Sequence, residues 1–300
     1  MGDMMEYKNM DCLEYLGTLD DNSIDLIIAD PPYYRVVKDE WDHQWKSQAQ
    51  YDDWCNRWVT EVSRVSKYSA SLWLFGYTRN VPGTYCSLVH NNFNFRQQIV
   101  VNKGMRAVAG RTKSTNKLFP TATESLFFFH YDARKHIGEL LEEQRLKLHW
   151  KAIDINTLLG KSTSGGGAYS AMVNSNPEKR VYPKREYWER MSEVMELPRY
   201  DELVYTFNQS KGLTDVWDDI DFFDRKEKRI HTAQKPLALI ERLIKTSTNE
   251  GANVLDMFSG SGTTAVACKL LNRNFYGSEI DPRYYDISCR RISQLNPLPF

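Results

Sequence analysis

Between Val62 and Thr123 the chain carries neither aspartate nor glutamate, while Arg64, Lys67, Arg79, Arg96, Lys103, Arg106, Arg111, Lys113 and Lys117 all fall within that stretch. The whole chain of 300 residues is nevertheless balanced, with 39 lysines and arginines against 39 aspartates and glutamates. A global sum of zero argues against a nucleic-acid partner, but it hides this local excess of cations, which argues for one. Cysteine pairs are missing too. Cys12, Cys55, Cys86, Cys268 and Cys289 are odd in number, widely spaced and never in C-x-x-C register, so neither a disulfide framework nor a zinc site is indicated. No metal is expected, and a reducing, cytoplasmic setting is. No apolar run approaches the roughly 20 residues of a membrane span, and Met1 to Met10 holds no signal-peptide core. Internal repeats and long low-complexity tracts are absent as well.

What is present begins with IIADPPYYR, Ile27 to Arg35. Ile24 to Ala29 is an apolar run without polar alternation, the pattern of a strand covered on both faces, as in parallel sheets. Asp30-Pro31-Pro32 must end it. Two prolines remove backbone donors and push Asp30 and Pro31 toward extended conformations, so this segment stands stiff and unpaired at the carboxyl end of the strand. Open α/β sheets place their ligands at that end.

The spacing of Tyr51, Trp54, Trp58, Val62 and Val65 predicts an amphipathic helix. Ser71 to Phe75, Gln98 to Val101 and Ser125 to Phe129 read as short strands, the last two joined by a polar, basic loop from Lys103 to Thr123. Regularity then fades. From Asp132 to about residue 230 come charged helical pieces, a flexible STSGGGAYS loop at Ser162 to Ser170 and aromatic-basic clusters such as KREYWER, which together read as an insertion. Order returns with Pro236 opening an amphipathic helix through Leu237, Ile240, Leu243 and Ile244. Asn253 to Met257, a glycine turn, a helix and a further strand ending at Glu279 form a βαβ unit.

Gly260-Ser261-Gly262 alone is weak evidence, since glycine serves any tight turn. Glu279, about twenty residues further, adds an acid at the second strand tip, where ribose hydroxyls are bound in nucleoside-cofactor folds. No lysine follows the glycines in Walker A frame, so a P-loop is excluded, whereas Gly260, Gly262 and Ala265 do fit a nicotinamide-enzyme fingerprint. Asp30-Pro31-Pro32-Tyr33 decides between the two, because a specified four-residue string has a low chance frequency in a chain this long.

With D-P-P-Y at Asp30 to Tyr33 and F-x-G-x-G at Phe258 to Gly262, the chain resembles DNA amino-methyltransferases that use S-adenosylmethionine. The order, with the catalytic motif first, a variable region next and the cofactor motif last, resembles their β class. The likeness covers residues 9–131 and 215–294, including DVWD at Asp215 to Asp218 and H-x-x-Q-K-P at His231 to Pro236. It implies Asp30, Pro31, Pro32 and Tyr33 as the catalytic loop. It implies a cofactor site formed by Asp11 near the adenine, Asp256, Phe258, Ser259, Gly260, Gly262 and Thr263 on the methionine side, Glu279 at the ribose, and Lys235-Pro236 closing over the methionine moiety, with Asp30 adjoining. His231-Thr232-Ala233 departs from the usual H-P-T.

A purine exocyclic amine is a poor nucleophile because its lone pair is delocalised into the ring. Two acceptors, the Asp30 carboxylate and the Pro31 carbonyl, favour a pyramidal nitrogen, Pro32 fixes the loop, and Tyr33 offers a face for a base rotated out of duplex DNA. The expectation is an α/β, Rossmann-like fold with a mostly parallel twisted sheet, helices on both faces and an inserted target-recognition region. Residues 1–131 form its catalytic half, 132–230 the recognition insertion and 231–300 the cofactor half, and Asn253 to Met257 neighbours Ile24 to Ala29. The expected activity is methylation of adenine N6 in DNA, because a leading aspartate is the commoner partner of adenine in the family. Cytosine-N4 methylation is the alternative, and a non-catalytic nucleic-acid-binding protein a more distant one. Lys103, Arg106, Arg111, Lys113 and Lys117 are the expected contacts to DNA phosphates. The resemblance leaves open a homodimer, a cognate restriction endonuclease as partner, an RNA substrate and the recognition sequence.

Overall fold

In the computed structural model, residues 4–36, 40–76, 81–110, 117–161, 167–224, 230 and 233–295 are described. Eight strands occur among them: β1 (Met5–Asn9), β2 (Ile24–Ala29), β3 (Ser66–Phe75), β4 (Phe93–Asn102), β5 (Thr123–Tyr131), β6 (Val216–Trp217), β7 (Asn253–Asp256) and β8 (Asn274–Glu279). They form one sheet in the order β1-β8-β7-β2-β3-β5-β4-β6. Only the pairs made by β5 are antiparallel. This is the α/β, Rossmann-like arrangement expected, with helices packed on a mostly parallel sheet.

The five apolar residues of β2, Ile24, Leu26, Ile27, Ile28 and Ala29, are each at most 1% exposed, which explains the lack of polar alternation in the sequence. β2 lies beside β7 with Leu26 opposite Val254 and Ile27 opposite Leu255, as expected. From β2 the chain winds to β3 on one side, and from β7 it winds to β8 on the other. The β2/β7 junction is therefore a topological switch point, and open α/β sheets bind their ligands in the crevice outside the carboxyl ends of the strands at such a point. Because β5 runs against its neighbours, its first residues lie at that same edge: Thr123 pairs with Asn102, the last residue of β4.

The predicted amphipathic helix spans Gln48–Val65, with the Ser47 hydroxyl accepting the Gln50 N–H at its start. It buries Tyr51, Cys55, Trp58, Val59, Val62 and Val65 against the sheet. Helix Leu237–Ser247 follows Pro236, which stands at the N-cap rather than inside the first turn. None of the described helices is long and apolar enough to cross a membrane.

Contacts divide the chain into two units, one of residues 1–131 and 206–300, the other Asp132–Tyr205. The second unit thus begins where the sequence places an insertion and ends before residue 230. Residues after Tyr205 join the first unit because Val216 and Trp217 pair in parallel with Val100 and Val101 of β4. A two-residue strand is too short for any periodicity to reveal. Within the second unit, helices Arg134–Lys147, Ala152–Leu158, Ala168–Met172 and Arg185–Ser192 bury Ile137, Leu141, Ile155, Tyr169, Met172, Trp188 and Met191. Part of the stretch expected as a flexible glycine loop, Ala168 onward, is therefore helical. Residues 162–166 lie outside the described residues.

Candidate active site

β2 and β7 run parallel and side by side, so the D-P-P-Y segment and the glycine turn leave the sheet at the same edge, and the Asp30 charge acts on the carboxyl of Asp256 at the end of β7. Pro31 is buried, and Asp30, Pro32 and Tyr33 are half-buried. The Tyr33 hydroxyl donates to Asp30 Oδ1 at 2.9 Å, and Lys235 Nζ donates to Asp30 Oδ2 at 2.5 Å. Each carboxylate oxygen keeps a second lone pair. Burial, and then the neighbouring Asp30 carboxylate, push the Tyr33 phenol well above its usual range, so it stays a donor.

A buried acid absent from the sequence expectations holds this segment from behind. Asp42 is 1% exposed and its carboxylate accepts the backbone N–H of Tyr33 at 2.8 Å and of Val36 at 3.2 Å. Its own carbonyl accepts the Arg35 N–H at 2.9 Å. The prolines stiffen Asp30 to Pro32, and Asp42 fixes Tyr33 to Val36. Tyr34 packs instead, stacking on Tyr51 with ring centroids 6.3 Å apart.

Lys235 is a second surprise. The resemblance assigns it to the methionine side of a cofactor, whereas here its ammonium sits on Asp30, 4.7 Å from the Phe75 ring centroid and 3.9 Å from Glu124 Oε1. Burial works to discharge it, but the carboxylates of Asp30, Glu124 and Asp256 outweigh burial and raise it above the usual lysine range. Glu124, at the start of β5, also accepts from Lys103 Nζ at 2.8 Å. Burial raises its carboxyl, and the two ammonium groups more than reverse that. The sequence did carry a signal for Glu124: it is the first acid after the acid-free stretch.

On the other wall, Gly260 and Gly262 both adopt left-handed φ, +51° and +73°. A Cβ at Gly262 would meet Ser288 Cβ at 2.8 Å, whereas one at Gly260 would point into open space, with nothing nearer than 4.0 Å. Gly262 is required by packing, and Gly260 leaves the crevice clear. Asp256 ends β7, its Oδ1 accepting the Phe258 N–H at 3.0 Å and its Oδ2 the Thr264 hydroxyl at 2.5 Å. Burial pushes its carboxyl up to about 7 despite those donors.

Glu279, 9% exposed, accepts the Gly260 N–H at 2.7 Å and the Asp281 N–H at 2.8 Å, one on each oxygen. Burial raises its pKa, opposed by those backbone donors. Ser259 turns inward to the Asp256 carbonyl, and Thr263 toward Ser261 and Arg291. Asp11 caps helix Cys12–Leu16 by accepting the Leu13 N–H at 2.8 Å. Pro236 is buried beneath the helix it precedes.

Among the basic residues, Lys103 is committed to Glu124, Arg106 lies over the Phe223 ring at 5.1 Å, and Lys117 is exposed. Arg111, Lys113 and His231 lie outside the described residues.

A family profile described as DNA methylase, of the N6/N4 type, matches residues 24–290. The chain belongs to this family. It is similar to the Type II methyltransferase M.HinfI of Haemophilus influenzae, 24% identical over 310 aligned positions that cover 96% of this chain and 68% of the relative. Among solved structures, the complex of M1.HpyAVI with SAM aligns with a TM-score of 0.58 and 19% identity, covering 96% of this chain and 99% of that one. The cytosine-N4-specific PvuII DNA methyltransferase aligns with a TM-score of 0.56 and 15% identity, covering all of this chain, 100%, and 89% of the other. At these identities the solved structures share the fold. The two walls differ in chemistry: one carries the Asp30 carboxylate and the Tyr33 phenol, the other the glycine turn and Glu279.

Proposed function

We propose that this methylase is a site-specific, Type II enzyme that transfers the methyl group of S-adenosylmethionine to the N6 amine of adenine in double-stranded DNA. The observation that carries the reading is the position of Asp30, a carboxylate just past the end of β2 at the switch point, held by Tyr33 and Lys235. When bound, S-adenosylmethionine supplies the electrophilic methyl of its sulfonium. The residues present fit it. Gly260 leaves the crevice clear, Asp256 offers a carboxylate for the methionine ammonium, and each Glu279 oxygen keeps a lone pair for a ribose hydroxyl. Phe258, half-buried, offers an apolar edge beside them. Asp11 keeps one carboxylate oxygen beyond its cap for the adenine side.

Asp30 accepts one N–H of the target amine and the Pro31 carbonyl the other. This draws the nitrogen lone pair out of conjugation with the ring and holds it in one direction. The Tyr33 ring stacks on the rotated base while its hydroxyl keeps Asp30 in place. Arg106 and Lys117 meet DNA phosphates, joined by Arg111 and Lys113 of the same basic stretch, and Lys103 anchors that stretch to the sheet through Glu124. The unit Asp132–Tyr205, extended by the segment to residue 230, reads the target sequence.

Cytosine N4 is the second reading, because its amine asks for the same acceptors and a cytosine-N4-specific enzyme shares the fold. The leading aspartate of D-P-P-Y favours adenine. Digestion of DNA from cells expressing the protein, followed by nucleoside mass spectrometry and single-molecule mapping of modified sites, tests this. N6-methyladenine at one recurring sequence is expected, and N4-methylcytosine alone would reverse the base assignment.

A further inference from the structure

We propose that Glu124 is a positioning residue for methyl transfer, holding the Lys235 ammonium at Asp30 and tying that pair to the root of the basic loop through Lys103. This rests on the reading of Asp30 as the acceptor of the target amine. Glu124 belongs to neither the D-P-P-Y nor the glycine motif, and the resemblance gives it no role; the site position it faces is Lys235. Its side chain is 17% exposed, and those of Lys235 and Lys103 are 12% and 22%. One oxygen receives Lys103 at 2.8 Å and the other faces Lys235 at 3.9 Å, while Lys235 reaches Asp30 at 2.5 Å. The charges therefore alternate from the loop root to the reacting group: Lys103, Glu124, Lys235, Asp30.

A half-buried carboxylate between two half-buried ammoniums is costly to keep unless the arrangement is held together, because each ion loses part of its hydration. The role of Glu124 is to divide the Lys235 charge between two carboxylates. Were Asp30 the sole counter-ion of Lys235, the ammonium would bind it more tightly and draw electron density from the oxygens that must accept the amine. With Glu124 sharing the ammonium, Asp30 stays a strong acceptor in a fixed orientation. The charges that act on Lys235 are those of Asp30 from the segment after β2, Glu124 from β5 and Asp256 from β7, with Tyr33 bonded to Asp30 and Lys103 to Glu124. Those carboxylates keep the Lys235 ammonium charged in spite of burial. Strand direction places Glu124 for this role. It lies at the start of the one antiparallel strand, whose reversed course brings it to the edge where the parallel strands end.

The test measures kcat at saturating DNA and S-adenosylmethionine, its pH profile, cofactor affinity and thermal midpoint for wild type, Glu124→Gln and the double variant Glu124→Gln/Lys103→Met. Wild-type turnover checks the underlying reading separately, since an inactive wild type would defeat that reading before Glu124 is considered. In Glu124→Gln, kcat is expected to fall by about a hundredfold, the scale on which misplacement of a catalytic group acts. Cofactor affinity stays within about threefold, and the alkaline limb moves to lower pH because Lys235 has lost a carboxylate. The double variant removes the half-buried lysine left without its partner, so its thermal midpoint recovers toward wild type. If Glu124 acts through Lys235, kcat stays low despite that recovery. If kcat returns together with stability, or Glu124→Gln keeps wild-type kcat and pH limb, Glu124 is a structural ion pair only and the proposal is overturned.

Discussion

The carboxylate of Asp42 accepts the backbone N–H of Tyr33 at 2.8 Å, so the last residue of the D-P-P-Y segment is fixed by an acid nine positions downstream that belongs to no motif. Asp42→Ala leaves the N–H groups of Tyr33 and Val36 without this acceptor. Hydrogen bonds to a charged group contribute about 1.5–3 kcal/mol each. The expected outcome is a loss of turnover of roughly tenfold or more with cofactor affinity within a few-fold. Amide exchange at Tyr33 and Val36 should accelerate. Unchanged exchange at those amides would show the segment is held by its prolines alone.

Glu279 holds two backbone N–H groups in the fold and binds the ribose in the proposed reading, and its removal tests both. The sequence alone places it at a solvent-facing strand tip, where loss would weaken cofactor binding without harm to the fold. The structure corrects that, because its buried carboxylate also accepts the Gly260 and Asp281 N–H groups. Glu279→Ala is expected to weaken S-adenosylmethionine binding and to destabilise the unliganded protein by about 1–3 kcal/mol. Calorimetry and urea melts of the variant measure the two losses.

Asp256 sets a pH dependence. Burial raises its carboxyl to about 7, above its unfolded value near 4, so between those limits the folded chain holds a proton that the unfolded chain has released. Stability of the unliganded protein therefore falls as pH rises through that window, the reverse of a salt-bridged carboxylate. Cofactor affinity should move the other way, rising as pH climbs through about 7 and the carboxylate forms to meet the methionine ammonium. Asp256→Asn should flatten both dependences and weaken binding at pH 8, as read by calorimetry across a pH series.

The basic stretch divides by what its lysines touch. Lys117 is exposed, whereas Lys103 is turned onto Glu124. Replacing Lys117 with Ala should weaken binding to cognate and unrelated duplexes by similar factors and lower the salt slope by about one, the change expected when one fewer phosphate is neutralised. Lys103→Ala should leave that slope in place. Equal slopes for both variants and the parent would move the phosphate contacts elsewhere.

How much of the fold and the site was legible depended on whether a residue acts through its neighbours in sequence or in space. The run Ile24 to Ala29, the prolines after it and the Gly260-Gly262 turn are local, so strand, stop and turn could be read directly. The pairing of β2 with β7 was expected from the resemblance alone, which requires the D-P-P-Y and glycine motifs at the two chain ends to form one crevice. Glu124, Asp42 and the contact of Lys235 with Asp30 could not be read in that way, because each joins segments distant in the chain and depends on burial that composition does not encode. β6 escaped because two residues carry no period. The far end of the second unit escaped for the same reason, since β6 pairs with β4 of the first unit.

The catalytic roles proposed for Pro31, Tyr33 and Glu124 depend on Asp30 acting on the target amine rather than on the fold or the cofactor. The decisive comparison sets purified wild type against Asp30→Ala for methyl incorporation into duplex DNA at saturating S-adenosylmethionine, with cofactor affinity measured by calorimetry on the same samples. Methyl transfer is expected to vanish in the variant while affinity stays within about threefold, the signature of an interaction made in the transition state. Turnover near the wild-type rate, with the cofactor bound normally, would contradict it.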